Sequence, residues 1–196
     1  MKERILMVVF VVILGSVLTS ALVAVAYYTG PRIERNKVLK LKMSVLGALD
    51  ISYTEDNVER QFSENVTMNE IKGTSFYVSK DGDIAFEIAG SGLWGPVSGV
   101  LALSSDLETI KGITIIHQEE TPGLGGRIAE RDYLGRFKGK KLAPELRILA
   151  PGKAGAQAGD NEVDGITGAT LSSKAFERIL NSESRKYIPL IEENKQ

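Results

Sequence analysis

The run Asp164-Gly165-Ile166-Thr167-Gly168-Ala169-Thr170, continuing into Leu171-Ser172-Ser173, places hydroxyls on a glycine-rich turn that opens an amphipathic helix. The free backbone N–H groups and positive dipole end of such a helix start favour a phosphate. Holding a phosphorylated ligand is the chemistry this pattern suits, with Gly168 and Ala169 clearing space and Ser172 and Ser173 offering donors to phosphate oxygens. As a bare pattern, a threonine at a helix start is also an ordinary capping residue.

Two further glycine-rich segments precede it. Gly90-Ser91-Gly92-Leu93-Trp94-Gly95 spells the spacing of a dinucleotide fingerprint, but Pro96 and the strand-like 97–103 follow where a helix must open, so a nicotinamide site is excluded. The glycines suit instead a ledge where backbone approaches a planar ligand, with Leu93 and Trp94 as apolar and aromatic surface. Taken alone, Trp94 reads as a core residue. Glu120-Thr121-Pro122-Gly123-Leu124-Gly125 is a rigid turn at a strand end, and by itself it reads as a helix entry with Glu119 and Glu120 as solvated charge.

Composition removes several chemistries. With no cysteine and a single histidine, His117, no metal or iron–sulfur ligand set and no Ser/His/Asp constellation is expected. The 24 basic and 25 acidic residues leave nothing basic enough for nucleic acid.

The positioning elements follow from periodicity. Alternating or continuous apolar stretches at 75–78, 84–88, 97–103 and 110–116 predict strands, joined in hairpin fashion by Asp81-Gly82-Asp83 and Ser104-Ser105-Asp106. A helix is predicted near 126–137, a strand near 145–149, a Gly/Ala-rich loop over 151–159, and helices at the end, the first buried along Leu171, Ala175, Phe176, Ile179 and Leu180. The predicted class is α+β with an antiparallel sheet and flanking helices.

Residues 5–28 carry no charge and exceed the roughly 20 residues needed to cross a bilayer as a helix. Ala24-Val25-Ala26 imitates a cleavage site, yet the apolar run is longer than a secretory h-region, so a retained anchor is favoured. Basic residues flank it on both sides, and counting them alone would place the domain in the cytoplasm. A lone N-terminal anchor ahead of a long domain behaves instead like an uncleaved signal, which favours an extracytoplasmic domain on a single-pass protein of the cell (inner) membrane. The expected organisation is a cytoplasmic tail (1–4), a transmembrane helix (5–28), a juxtamembrane stalk helix (29–50) and one domain (51–196). Val38, Leu41, Val45, Leu46 and Leu49 recur at helical spacing in the stalk, whose lysines also suit lipid headgroups.

The three motifs G-S-G-L-W-G-P, E-T-P-G-L-G and D-G-I-T-G-A-T-L-S-S, in that order, resemble the extracytoplasmic FMN-binding domain family. This family includes the G component of Rnf electron-transport complexes, which the short chain resembles most, and the C component of sodium-translocating NADH:quinone oxidoreductase. The resemblance implies FMN joined by a phosphoester to Thr170, with Thr167 standing where serine is commoner. It also implies a ring environment of Leu93, Trp94, Glu120, Thr121, Gly123, Leu124 and Gly125, with Gly168, Ala169 and Ser172 near the phosphate. The implied role is a redox relay without a complete active site of its own, in an Rnf-type ferredoxin:NAD+ oxidoreductase coupled to ion translocation. Other membrane subunits and a flavin transferase using FAD and magnesium would be its partners. The alternatives are the equivalent part of the quinone reductase, a stand-alone surface flavoprotein, or, in another class, a flavin-free tethered scaffold.

Overall fold

In a computed structural model, which describes residues 1–155 and 158–195, the chain divides into two units, Met1–Lys40 and Leu41–Gln196. The first unit is one length of helix α1 (Lys2–Ala48), whose apolar side chains from Ile5 to Val25 are exposed. At a rise of about 1.5 Å per residue this helix is long and apolar enough to cross a membrane. Pro31 lies within it without ending it.

The second unit is α+β, as the patterning predicts. Five strands, β1 (Val66–Ile71), β2 (Thr74–Ser79), β3 (Ile84–Ser91), β4 (Pro96–Leu103) and β5 (Ile110–Gln118), form an antiparallel meander in sequence order. The hairpin turns have identifiable causes. Between β1 and β2, Lys72 and Gly73 both take positive φ (50° and 79°), as a two-residue turn that matches strand twist requires. Between β4 and β5 the Asp106 carboxylate accepts from the Glu108 and Thr109 N–H groups and the Thr109 hydroxyl, and these bonds hold its pKa below the ordinary aspartate value against a desolvation that works the other way. Strand β1 has no sequence signal, because four consecutive residues, Thr67 to Glu70, are exposed and no alternation survives.

One face of the sheet packs on helix α4 (Thr170–Lys195). Phe76, Phe86, Ile88 and Leu101 meet Phe176, Ile179, Leu180 and Tyr187, and Tyr187 stands edge-on to Phe76 at 5.8 Å between ring centroids. Ile179 lies against Gly90, where an added Cβ would fall 2.6 Å from its Cγ1. Residues on the opposite face of the strands, Gly112 and Thr114, receive the end of α1: Val45, Leu46 and Ala48 are fully buried, and the Thr114 hydroxyl donates to the Ser44 carbonyl at 2.8 Å. Helix α2 (Val58–Asn65) borders this face through Phe62, edge-on to Tyr77.

The helix predicted near 126–137 is instead three short pieces: a 3-10 turn at Gly125–Ala129, α3 (Arg131–Leu134) and a 3-10 turn at Gly135–Phe137. Glu130 breaks it by adopting an extended backbone (φ −71°, ψ 135°). The strand predicted near 145–149 is shorter, β6 (Arg147–Leu149), and pairs in parallel with β7 (Glu162–Asp164), a strand the sequence does not announce. The predicted loop over 151–159 includes residues 156 and 157, which lie outside the described residues. A single helix, α4, ends the described chain in place of several.

Two consequences are measurable by urea denaturation of the full chain. Gly112→Ala brings a Cβ to 2.5 Å from the Ala48 carbonyl oxygen, so a loss of about 1–3 kcal/mol is expected, while Gly135→Ala, which meets open space, stays within about 0.5 kcal/mol of the parent. The Asp83 carboxylate, 2.9 Å from Lys111 Nζ, holds the Lys111 pKa above its usual value, chiefly through their hydrogen bond. A pKa raised on folding stabilises fully below the unfolded lysine value of about 10.4 and is lost as pH rises through the folded value. Lys111→Met should therefore flatten the alkaline limb of the stability profile and lower stability at neutral pH.

Candidate functional site

The three glycine-rich motifs, far apart in sequence, meet at one end of the sheet. The first forms the β3–β4 turn, closed by a hydrogen bond of 2.8 Å from the Gly92 N–H to the Gly95 carbonyl. The second leaves β5 and turns at Gly123, with φ at 74°. The third enters α4, where Gly168 takes a φ of 78° and the Ala169 carbonyl accepts the first helical bond, from the Ser173 N–H at 3.0 Å. Thr170 is thus the first residue of the helix, and its side chain is exposed. The N–H groups of Thr170, Leu171 and Ser172 belong to the first turn and have no intrahelical acceptor.

Glu120 ties the motifs together. Only 4% exposed, its Oε1 accepts from the Leu93 N–H at 2.6 Å and the Trp94 N–H at 3.1 Å, and its Oε2 accepts from the Ser172 hydroxyl at 2.7 Å. Its own N–H donates to Gln118 Oε1 at 2.6 Å. Glycine is required where this carboxylate passes. A Cβ on Gly92 would collide with Oε1, and one on Gly125 would collide with the Ser172 hydroxyl and lie 2.5 Å from Oε2.

Above this tie lies an open cleft of about 310 Å³, lined by Leu93, Trp94, Thr121, Leu124, Gly125, Gly168, Ala169, Thr170, Leu171 and Ser172. No lining residue is charged. Every one except Leu171 is in the set inferred from the sequence. Leu171, 65% exposed on the first turn of α4, was legible only as a member of the buried stripe, and the structure turns it outward instead.

Several expectations change in detail. Trp94 is 73% exposed and so is not the core residue its type alone suggests. Glu120 lies behind the cleft wall, buried and hydrogen-bonded, rather than as solvated charge or on the cleft surface. Gly123 and Thr167 are exposed and do not line the cleft. The Ser172 and Ser173 hydroxyls, expected as donors to phosphate oxygens, have partners within the protein: the first donates to Glu120, and the second accepts from the Ile166 N–H at 3.1 Å. The backbone N–H groups of the helix start remain as donors for an anion. His117 pairs with Glu119 at 3.2 Å outside the cleft, and among the described residues no group of three or more His, Cys, Asp or Glu side chains is placed to hold a metal. Burial pushes the Tyr133 phenol up to about 12, so it is neutral at physiological pH.

These residues fit a flavin mononucleotide. Leu93, Trp94, Leu124 and Leu171 offer apolar surface for a planar ring, glycines allow close approach, and the helix start would serve the phosphate end.

Comparison with known proteins agrees. The FMN-binding domain family matches residues 92–182. The chain is 37% identical over 111 residues to the C component of the Na(+)-translocating NADH-quinone reductase of Vibrio anguillarum, a match covering 52% of this chain and 42% of that protein. It is 40% identical over 100 residues to the same component from Neisseria meningitidis, covering 50% and 39%. The matched segment thus spans about two fifths of the length of these curated relatives. The crystal structure of the C component from Parabacteroides distasonis superposes with a TM-score of 0.68 at 25% identity, covering 79% of this chain and 92% of that one. Shewanella oneidensis NqrC, at 19% identity and a TM-score of 0.65, shares the fold. Residues 92–182 belong to the FMN-binding domain family, and the chain is a homologue of the C component of the sodium-translocating NADH-quinone reductase.

Proposed function

We propose that the chain is a membrane-anchored electron-transfer protein with FMN attached as a phosphoester on Thr170. The observation that carries this reading is an exposed threonine hydroxyl at the first turn of a helix, inside a cleft with no charged lining. A phosphate monoester brings a charge of about −1.5 to −2, and no lysine or arginine lines the cleft to meet it. A helix terminus offsets only about 0.3–1 kcal/mol of that at an exposed site. A covalent bond removes dissociation altogether and reduces the phosphate to a single charge, which suits the free N–H groups of the helix start. Attachment balances as attack of the Thr170 oxygen on the flavin-side phosphorus of FAD. The pyrophosphate bond breaks, AMP leaves and the hydroxyl proton is released, a reaction assigned to a magnesium-dependent flavin transferase.

Bound there, FMN supplies reversible electron uptake and release. The chain's own residues hold the phosphate end at Thr170 and present Leu93, Trp94, Thr121, Leu124 and Gly125 to the ring, with Gly168 and Ala169 leaving room beside the ester. Gly123 sets the turn of the second motif, and Thr167 lies exposed on the attachment loop, three residues before Thr170. The site performs no bond chemistry of its own, so the chain acts as a relay between redox partners in a multisubunit membrane oxidoreductase that moves ions. The homology supports a complex of the NADH-quinone reductase kind, and an Rnf-type ferredoxin:NAD+ oxidoreductase is the second reading, through the family that both share.

The anchor is residues 5–28, with 1–4 cytoplasmic, 29–50 a stalk and 51–196 extracytoplasmic.

Denaturing electrophoresis under ultraviolet light tests the attachment. The native chain should fluoresce and exceed its sequence mass by FMN less one water. Thr170→Ala should abolish both signals, and Thr167→Ala, which removes the neighbouring exposed hydroxyl, should keep them. A colourless native chain of sequence mass sinks the reading in favour of a flavin-free scaffold. For orientation, protease added to intact spheroplasts should digest the domain, and its full protection would place the domain in the cytoplasm.

A further inference from the structure

Glu120 presents a physical problem that the cleft's lining does not. Burying a carboxylate is costly unless its oxygens receive hydrogen bonds. Three donors meet this one, and all three belong to residues that line the cleft: Leu93 and Trp94 on the β3–β4 turn, and Ser172 on the first turn of α4. Neither wall needs the carboxylate to form. The turn is closed by its own bond between Gly92 and Gly95, and α4 is fixed on the sheet by Phe176, Ile179 and Leu180, all 4% exposed or less. Beyond the packing of Ile179 on Gly90 at the base of the turn, Glu120 supplies the hydrogen-bonded link between the tip of the turn and the first turn of α4. It also places a buried carboxylate directly behind the walls, whereas the neighbouring Glu119 carboxylate, which lies against Gly95 of the same turn and 3.2 Å from His117, is half exposed to water.

We infer that Glu120 is a positioning residue: its buried carboxylate locks the Leu93–Trp94 turn to the start of α4 and holds a negative charge behind the site. The second part rests on the flavin reading of that site. An anion there opposes electron uptake by a bound flavin and keeps its reduction potential low. Glutamine and alanine separate the two effects. In Glu120→Gln, the amide oxygen still accepts from the Leu93 and Trp94 N–H groups, and the amide nitrogen donates to the Ser172 oxygen, so the tie survives without its charge. In Glu120→Ala both are gone.

Trp94 is the chain's single tryptophan and therefore reports on the turn with no flavin present. Because Glu120 holds the Trp94 backbone and not its exposed ring, the readout is the slow, segmental component of time-resolved tryptophan anisotropy: in the full chain carrying Thr170→Ala it should be the same in the parent and in Glu120→Gln, and show added motion of the turn in Glu120→Ala. Ser172→Ala, which removes only the helix-side bond, should lie between them and serves where Glu120→Ala does not fold. Unchanged Trp94 anisotropy in folded Glu120→Ala, or in Ser172→Ala where the former does not fold, overturns the positioning role whether or not the chain carries flavin. In the flavin-loaded chain, Glu120→Gln should keep the visible circular dichroism of the flavin and shift its midpoint potential to more positive values. A potential equal to the parent's overturns the electrostatic part. Loss of the flavin reading itself shows separately, as a non-fluorescent native chain on the denaturing gel.

Discussion

A carboxylate with almost no access to water must find its solvation inside the protein, and at Glu120 that requirement organises the cleft. The two oxygens draw together a hairpin turn and a helix start that lie far apart in the chain, and each approach is close enough to forbid a side chain at Gly92 and Gly125. Gly92 and Gly125, one from each of the first two motifs, are therefore explained by one shared neighbour. Gly168 has a different cause, a positive φ that lets the chain turn into α4.

The sheet supplies the rigidity this arrangement needs. Its core face is filled by aromatic and branched residues against α4, which fixes where Thr170 emerges. On its other face small residues lie where α1 docks, so that the buried end of α1 lies directly on Gly112 and hydrogen-bonds to Thr114. Both edges of the site are thus mounted on regular structure, and the loops between carry only short, internally bonded turns.

Charge is distributed with the same economy. Ion pairs such as Lys138–Asp50 and Arg147–Glu162 lie at the surface, whereas the cleft presents apolar side chains, glycines and hydroxyls. Such a surface has little means of retaining an anionic cofactor by Coulomb attraction, and a planar ring bound on it would stay accessible to a partner. Tight retention and an exposed ring are compatible when the tether is covalent.

Local signals in the sequence were sufficient for whatever depends on local physics: the uncharged run long enough for a bilayer, the period-two strands β2 to β5, the helix that opens at Thr170, and the three glycine-rich motifs of the site. The tertiary structure alone decided what depends on distant neighbours. Strand β1 exists because β2 offers it a partner, although its own side chains face water, and the predicted helix over 126–137 breaks because Glu130 must turn. Trp94 points outward and Glu120 inward, the reverse of what their side-chain types favour, and the buried Glu120 carboxylate is satisfied by the Trp94 N–H on the turn and the Ser172 hydroxyl on the remote helix. Hydrophobic pattern and turn chemistry act over a few residues and can be read in one dimension, whereas the satisfaction of a buried charge depends on groups that only folding brings within reach.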